Sequence, residues 1–116
     1  MKVLIIDDEP IVRLSIKRVF EAQGDEVFIA EDGKIGLDVW RRQKPDIVFL
    51  DVIMPNLTGP EVLAELGKAK TGKVILMSAF SGEQNLETAK QMGADDFLEK
   101  PFDNVFSVVA RAKRLV

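Results

Sequence analysis

Short runs of consecutive apolar residues alternate along this chain with longer stretches whose apolar positions recur every three or four residues. The short runs are residues 2–7, 26–30, 46–51, 73–78 and 96–99, rich in Val, Ile, Leu and Phe, and they read as β-strands. Helical spacing fills the gaps. Residues 11–23 place Val12, Ile16, Val19 and Phe20 on one face, with Pro10 suited to a first turn and Gly24 to a stop. Asp32 is positioned to cap a helix over 33–43 that ends before Pro45. Thr58 with Glu61, and Ser81 with Gln84, have capping-box spacing and open two further helices. The last helix is expected to begin near Asp103 and to set Val105, Val108, Val109 and Ala112 on one stripe.

Five strands alternating with five helices predict an α/β domain whose parallel sheet is covered on both faces. The runs at 2–7, 46–51 and 73–78 are nearly all apolar, as central strands require, whereas 26–30 is shorter and more mixed and is expected at an edge. In open sheets of this kind, ligands meet the carboxyl ends of the strands. Four of the predicted strands run into chemically capable groups there: Asp7-Asp8, Asp51, Ser78 and Lys100.

Composition narrows what those groups can do. The chain has 116 residues and a net charge of −3, which fits one domain and is too acidic overall to suggest direct nucleic-acid binding. No apolar run approaches the ~20 residues of a membrane span, and the N-terminus opens on a strand pattern without signal-peptide architecture; a cytoplasmic location is expected. The chain contains no cysteine and no histidine. Disulfides, thiolate or imidazole metal sites, histidine general bases and a phosphohistidine on this chain are therefore excluded.

Three converging carboxylates repel one another unless a cation joins them. An all-oxygen ligand set favours a hard ion, Mg²⁺ or Mn²⁺. With a lysine ammonium nearby, such a site suits phosphoryl oxygens, and a carboxylate can itself be the nucleophile that forms an acyl phosphate. Asp51 is the candidate, because it stands alone at a central strand end. Asp7 and Asp8 would hold the metal, Lys100 would neutralise one phosphoryl oxygen, and Ser78 would donate a hydrogen bond to another.

The stretches Ile6-Asp7-Asp8-Glu9-Pro10, Pro45 through Pro55 around Asp51, Ser78-Ala79 and Gly93 through Phe102 around Lys100-Pro101, in that order, resemble the receiver domain of bacterial two-component response regulators. The resemblance runs from Met1 to about Val116, one receiver domain over 1–116, with no output domain within it. It implies a flavodoxin-like, doubly wound (βα)5 three-layer sandwich with strand order 2-1-3-4-5. It also implies phosphorylation at Asp51 and Mg²⁺ bound by Asp8, Asp51 and the backbone carbonyl of Ile53, with Asp7 acting largely through water. The implied donor is a phosphohistidine on a partner kinase or phosphotransfer protein, and small phosphodonors such as acetyl phosphate often substitute. A cis bond before Pro101 is usual in the family. Its output surface is the face of the fourth helix, fifth strand and fifth helix, through which homodimers also form. Phe97, standing where tyrosine is frequent, is the expected switch residue, and Ser78 replaces a commoner threonine. The domain is then a signalling switch rather than an enzyme.

Other readings are weighed against it. Aspartyl-phosphate phosphatases share the nucleophile, metal, hydroxyl and lysine but generally carry an acid two residues after the nucleophile, where this chain has Ile53. A flavin module of the same topology would find Asp7-Asp8-Glu9 repulsive to its phosphate. A degenerate scaffold is argued against by the intact set of acids, hydroxyl and lysine. Among individual residues, Trp40 reads as packing of the second helix, and Phe106, off the helix stripe, as an ordinary exposed aromatic or a partner anchor. Asp95, Asp96 and Arg111 read equally as dimer salt bridges or as solvated charges. Ile53 and Phe80, two residues beyond Asp51 and Ser78, are apolar and are expected to shield a phosphoryl group from water.

Overall fold

The computed structural model describes residues 1–79 and 86–116. Five strands alternate with five α-helices: β1 (Lys2–Ile6), α1 (Pro10–Ala22), β2 (Glu26–Ala30), α2 (Gly33–Gln43), β3 (Ile47–Asp51), α3 (Gly59–Leu66), β4 (Lys73–Ser78), α4 (Leu86–Gln91), β5 (Asp96–Glu99) and α5 (Val105–Lys113). A short 3-10 turn, Gly67–Ala69, follows α3. All four strand pairings are parallel, in the order β2-β1-β3-β4-β5. The expected doubly wound order is present, and the mixed strand β2 lies at an edge.

Alternation along the strands divides the core into two layers, because successive side chains point to opposite faces. Leu4 and Ile6 of β1 join Trp40 of α2 and Val62 of α3 on one side. Val3 and Ile5 join Phe20 of α1 and Val109 of α5 on the other, where Phe20 meets Phe49 edge-on with ring centroids 5.8 Å apart. Every residue of β3 is buried, as a strand covered on both faces must be. Each fully buried large aliphatic side chain contributes roughly 1.5–3 kcal/mol through water exclusion. This two-sided core holds the strand ends in place. Trp40 is 1 % exposed and donates its indole N–H to the carbonyl of Thr71 at 3.0 Å, so it is a packing residue.

Local signals account for most boundaries. Pro10 stands at the start of α1, and Gly24, at φ +88°, lies just past its end, where a left-handed residue terminates a helix. Asp32 caps α2 by accepting from the Ile35 N–H at 2.8 Å. Thr58 and Glu61 form a reciprocal capping box at the start of α3. The predicted box of Ser81 and Gln84 lies outside the described residues, as does Phe80. The last helix starts later than expected: Asn104, not Asp103, is its cap, with Oδ1 accepting from the N–H groups of Phe106 and Ser107. The short amide reaches two orphan donors at once, which the residue before it is too far away to do.

Candidate functional site

Parallel pairing brings the ends of β1, β3, β4 and β5 to one rim. Asp7 follows β1 directly; its N–H still bonds to the carbonyl of Ala30, which extends the ladder one residue past the strand and fixes the side chain inward. Its carboxylate is fully buried, Oδ1 accepting from the Glu9 N–H at 2.8 Å and Oδ2 from Lys100 Nζ at 3.0 Å. Asp51 is the last residue of β3 and is 4 % exposed, with Oδ1 3.4 Å from the same ammonium. Asp8 is exposed beside them. Asp7, Asp8 and Asp51 each bring a carboxylate oxygen within 4.8 Å of the others.

Ser78 ends β4 in register with Glu99, and its backbone carbonyl accepts the Lys100 N–H at 2.8 Å, tying the fourth strand end to the lysine. The Lys100–Pro101 bond is cis. Asp8, Asp51, Ser78 and Lys100 line a cleft of about 300 Å³, which Ile53 and Glu9 complete. Of the six residues singled out at the strand ends and after Asp51, five line this cleft, and Asp7 reaches it only through its hydrogen bond to Lys100. Phe97 is elsewhere: half-buried, it packs against the core layer beneath α2, α3 and α4 and does not line the cleft.

Charge in this space is out of balance. Burial, reinforced by the negative Asp7 nearby, raises the Asp51 carboxyl from its ordinary 3.8 to about 7, although Lys100 opposes the shift. Burial also raises Asp7, against the lowering effect of the Glu9 N–H and Lys100. Lys100 is held above its ordinary value: burial disfavours its charge, but the carboxylates of Glu9 and Asp7 outweigh that. Two buried acids competing for one ammonium leave a deficit of positive charge that a proton or a cation would fill. The donor set is oxygen only, three carboxylates at close range, and this fits a hard divalent ion.

Three contributors escaped the sequence reading. Glu9 accepts from Lys100 Nζ at 2.8 Å. Arg13, one turn into α1, donates to the Asp7 carbonyl at 2.7 Å and so steadies the turn that presents both neighbouring acids. Gly59 opens α3 against β3; a Cβ there would lie 2.5 Å from the Asp51 carbonyl oxygen, so only glycine permits this approach. The run Thr58-Gly59-Pro60 was the available sign, a cap followed by the least bulky residue.

Within this chain the acidic and basic residues toward the fifth strand pair with one another rather than standing as freely solvated charges. Arg111 grips Asp96 with two hydrogen bonds, Nε and one terminal nitrogen each at 2.6 Å. Asp95 accepts the Val74 N–H at 2.9 Å and lies 3.7 Å from Lys70. The fifth strand brings these partners within reach. Phe106 is 68 % exposed, as its place off the α5 stripe implies.

The family model described as response regulator receiver domain matches residues 3–108. Among curated proteins the chain is similar to the probable transcriptional regulator ycf27 of Porphyridium aerugineum, 37% identical over 101 residues that cover 87% of this chain and 42% of that protein. It is also similar to the probable transcriptional regulatory protein TcrX of Mycobacterium tuberculosis, 33% identical over 115 residues, 98% of this chain and 49% of the relative. The chain therefore spans just under half the length of these relatives. Among solved structures, the receiver domain of the Francisella response regulator 1452 superposes with a TM-score of 0.88 at 33% identity, covering 98% of this chain and 94% of that one. The response regulator TrrA of Thermotoga maritima, in complex with Mg²⁺–BeF, gives 0.83 at 32% identity, covering 99% and 98%.

Proposed function

This chain belongs to the response regulator receiver family, and from that premise we propose that it is a two-component signalling switch, one domain over 1–116, whose phosphoacceptor is Asp51. The observation that carries the reading is the convergence of buried Asp51 and Asp7 on the Lys100 ammonium beside exposed Asp8. An Asp51 oxygen attacks the phosphorus of a phosphohistidine on a partner kinase or phosphotransfer protein; the P–N bond breaks and the imidazole leaves. The chain supplies no histidine of its own, so the donor must be a partner or a small phosphodonor.

Asp8, Asp51 and the Ile53 carbonyl would hold Mg²⁺, or Mn²⁺, with Asp7 acting through water. The chemistry a bound divalent ion supplies is neutralisation of the carboxylates and of the incoming phosphoryl oxygens. Lys100 offsets the charge on one phosphoryl oxygen, and Ser78 donates to another. The phosphoryl group brings roughly −2 charge, and the rearrangement it draws from Ser78 and Lys100 frees Phe97 to turn inward. That remodels the α4-β5-α5 face, which controls an output module or a second copy of the chain. Support for the output comes from the relatives: ycf27 and TcrX are both named as probable transcriptional regulators and are about twice as long. The domain is read as a switch and not as an enzyme, since the exposed Ile53 stands where an aspartyl-phosphate phosphatase keeps its acid. We also infer a cytoplasmic location without direct nucleic-acid or membrane contact by this domain; among the described residues no helix is long and apolar enough to cross a membrane.

The test is incubation with acetyl phosphate and Mg²⁺ followed by intact-mass measurement. One phosphoryl group is expected on the wild type, none on Asp51→Asn, and none in excess chelator. Labelling that persists in Asp51→Asn would move the acceptor elsewhere.

A further inference from the structure

Glu9 occupies the N-cap position of α1, yet it caps nothing: its side chain makes no hydrogen bond to the first turn. Ser, Thr, Asp and Asn are favoured there because they satisfy those orphan N–H groups. Pro10, in the first turn, removes one such donor and makes the missing cap tolerable. The Glu9 carboxylate reaches instead to the end of β5, where it accepts Lys100 Nζ at 2.8 Å, the shortest of that ammonium's three carboxylate contacts among the described residues. The three partners differ in burial. The Glu9 side chain is 59% exposed, against 0% for Asp7 and 6% for Asp51. A local preference broken in favour of a contact 91 residues away marks a functional demand more than a structural one.

We propose, resting on the phosphoacceptor reading above, that Glu9 is a positioning residue: it latches Lys100 toward solvent in the unphosphorylated protein and releases it when a phosphoryl group occupies Asp51. An ammonium has three N–H donors. Here they face Glu9, Asp7 and Asp51, so a phosphoryl oxygen gains a donor only by displacing a partner. Glu9 is the partner least costly to displace. Its freed carboxylate returns to water, whereas Asp7 would be left fully buried without its cation. Until release, the pull of Glu9 holds the ammonium 3.4 Å from the buried Asp51 oxygen, leaving that oxygen more available to a cation. The latch thus favours the metal and opposes the phosphoryl group, and its loss acts on the two ligands with opposite signs. A merely structural contact would weaken both when removed.

The experiment uses the 116-residue chain and two probes: Mg²⁺ alone, followed by calorimetry, and beryllofluoride at saturating Mg²⁺, followed by fluorine NMR. Glu9→Gln is expected to bind beryllofluoride about threefold to fivefold more tightly, the scale of a partly exposed ion pair, and Mg²⁺ alone about threefold more weakly. In a Lys100→Gln background the same substitution should leave beryllofluoride affinity unchanged, because the effect runs through the ammonium. Unchanged or weaker beryllofluoride binding by Glu9→Gln overturns the latch. So does a gain that survives in the Lys100→Gln background, which would make it charge repulsion alone. A wild-type protein that binds no beryllofluoride defeats the phosphoacceptor reading itself, and the latch with it.

Discussion

Asp25 leads into β2 at one end of the sheet and Asp51 closes β3 at the other, and both side chains are almost fully buried. Asp25 has two cations to itself, the N-terminal ammonium at 3.1 Å and Lys113 Nζ at 2.7 Å. Burial pushes its carboxyl up, but Lys113, ion-paired at Oδ2, and the N-terminal ammonium, hydrogen-bonded at Oδ1, outweigh it and hold the group below its ordinary range. Asp51 shares a single ammonium with Asp7 and Glu9, and burial with the neighbouring charge carries it up to about 7. The same residue type, equally covered, is neutralised at one end and left short of positive charge at the other. A buried acid with surplus cations holds structure together, and one with too few is a place for a ligand to bind. Asp96, clamped by Arg111, sides with Asp25.

The contrast should appear first in stability. Arg111→Ala strips Asp96 of both short hydrogen bonds while its carboxylate stays 8% exposed, and is expected to destabilise the protein by about 2–3 kcal/mol in urea unfolding at pH 7. Asp25→Asn should also destabilise, by leaving Lys113 and the N-terminus without their acceptor. Asp51→Asn should do the opposite and stabilise the metal-free protein at pH 8 by on the order of 2 kcal/mol, because it removes an acid whose ionisation opposes folding. If Asp51→Asn and Asp25→Asn shift stability in the same direction, the two ends are not distinct.

The pH profile sharpens the comparison. The folded pKa of Asp51 lies above its unfolded value of 3.8, so the folded state binds the extra proton between them. Without divalent ions, stability contributed by this group is full below about pH 4 and is lost as pH rises through about 7. Asp25 has a depressed folded pKa and behaves in reverse: its contribution is present above 3.8 and disappears as pH falls toward its folded value. Chemical unfolding between pH 3 and 8 should therefore fall away on both sides, and saturating Mg²⁺ should flatten the decline on the alkaline side only. A decline untouched by Mg²⁺ would detach it from the acidic cluster.

The smallest expected effect concerns the lifetime of the phosphorylated state. Ile53 is 63% exposed at the cleft and offers no hydrogen bond to a water approaching in line. Ile53→Asn should speed loss of the phosphoryl group a few-fold while changing stability by less than about 0.5 kcal/mol, as surface substitutions do. Decay of phosphorylated protein, followed by intact mass, checks this. Equal rates would place control of water access elsewhere.

The alternating periods of two and of three to four residues determined the βα repeat. Position at a strand's carboxyl end determined which residues could share a site, because neither inference needs more than a dozen neighbouring residues. Asp7, Asp8, Asp51, Ser78 and Lys100 were legible for that reason. The strand order was not contained in the periodicity; it came from resemblance, and the parallel pairings themselves are a tertiary fact. Only the folded chain decided how the charges were shared. Asp96 finds Arg111 across 15 residues, Asp25 finds the N-terminus and Lys113, and Glu9 leaves its helix uncapped to reach Lys100. A carboxylate's partner is whichever cation the packing brings within about 3 Å, and that selection is made by the core, whose two apolar layers set the distances between strand ends before any charge is paired.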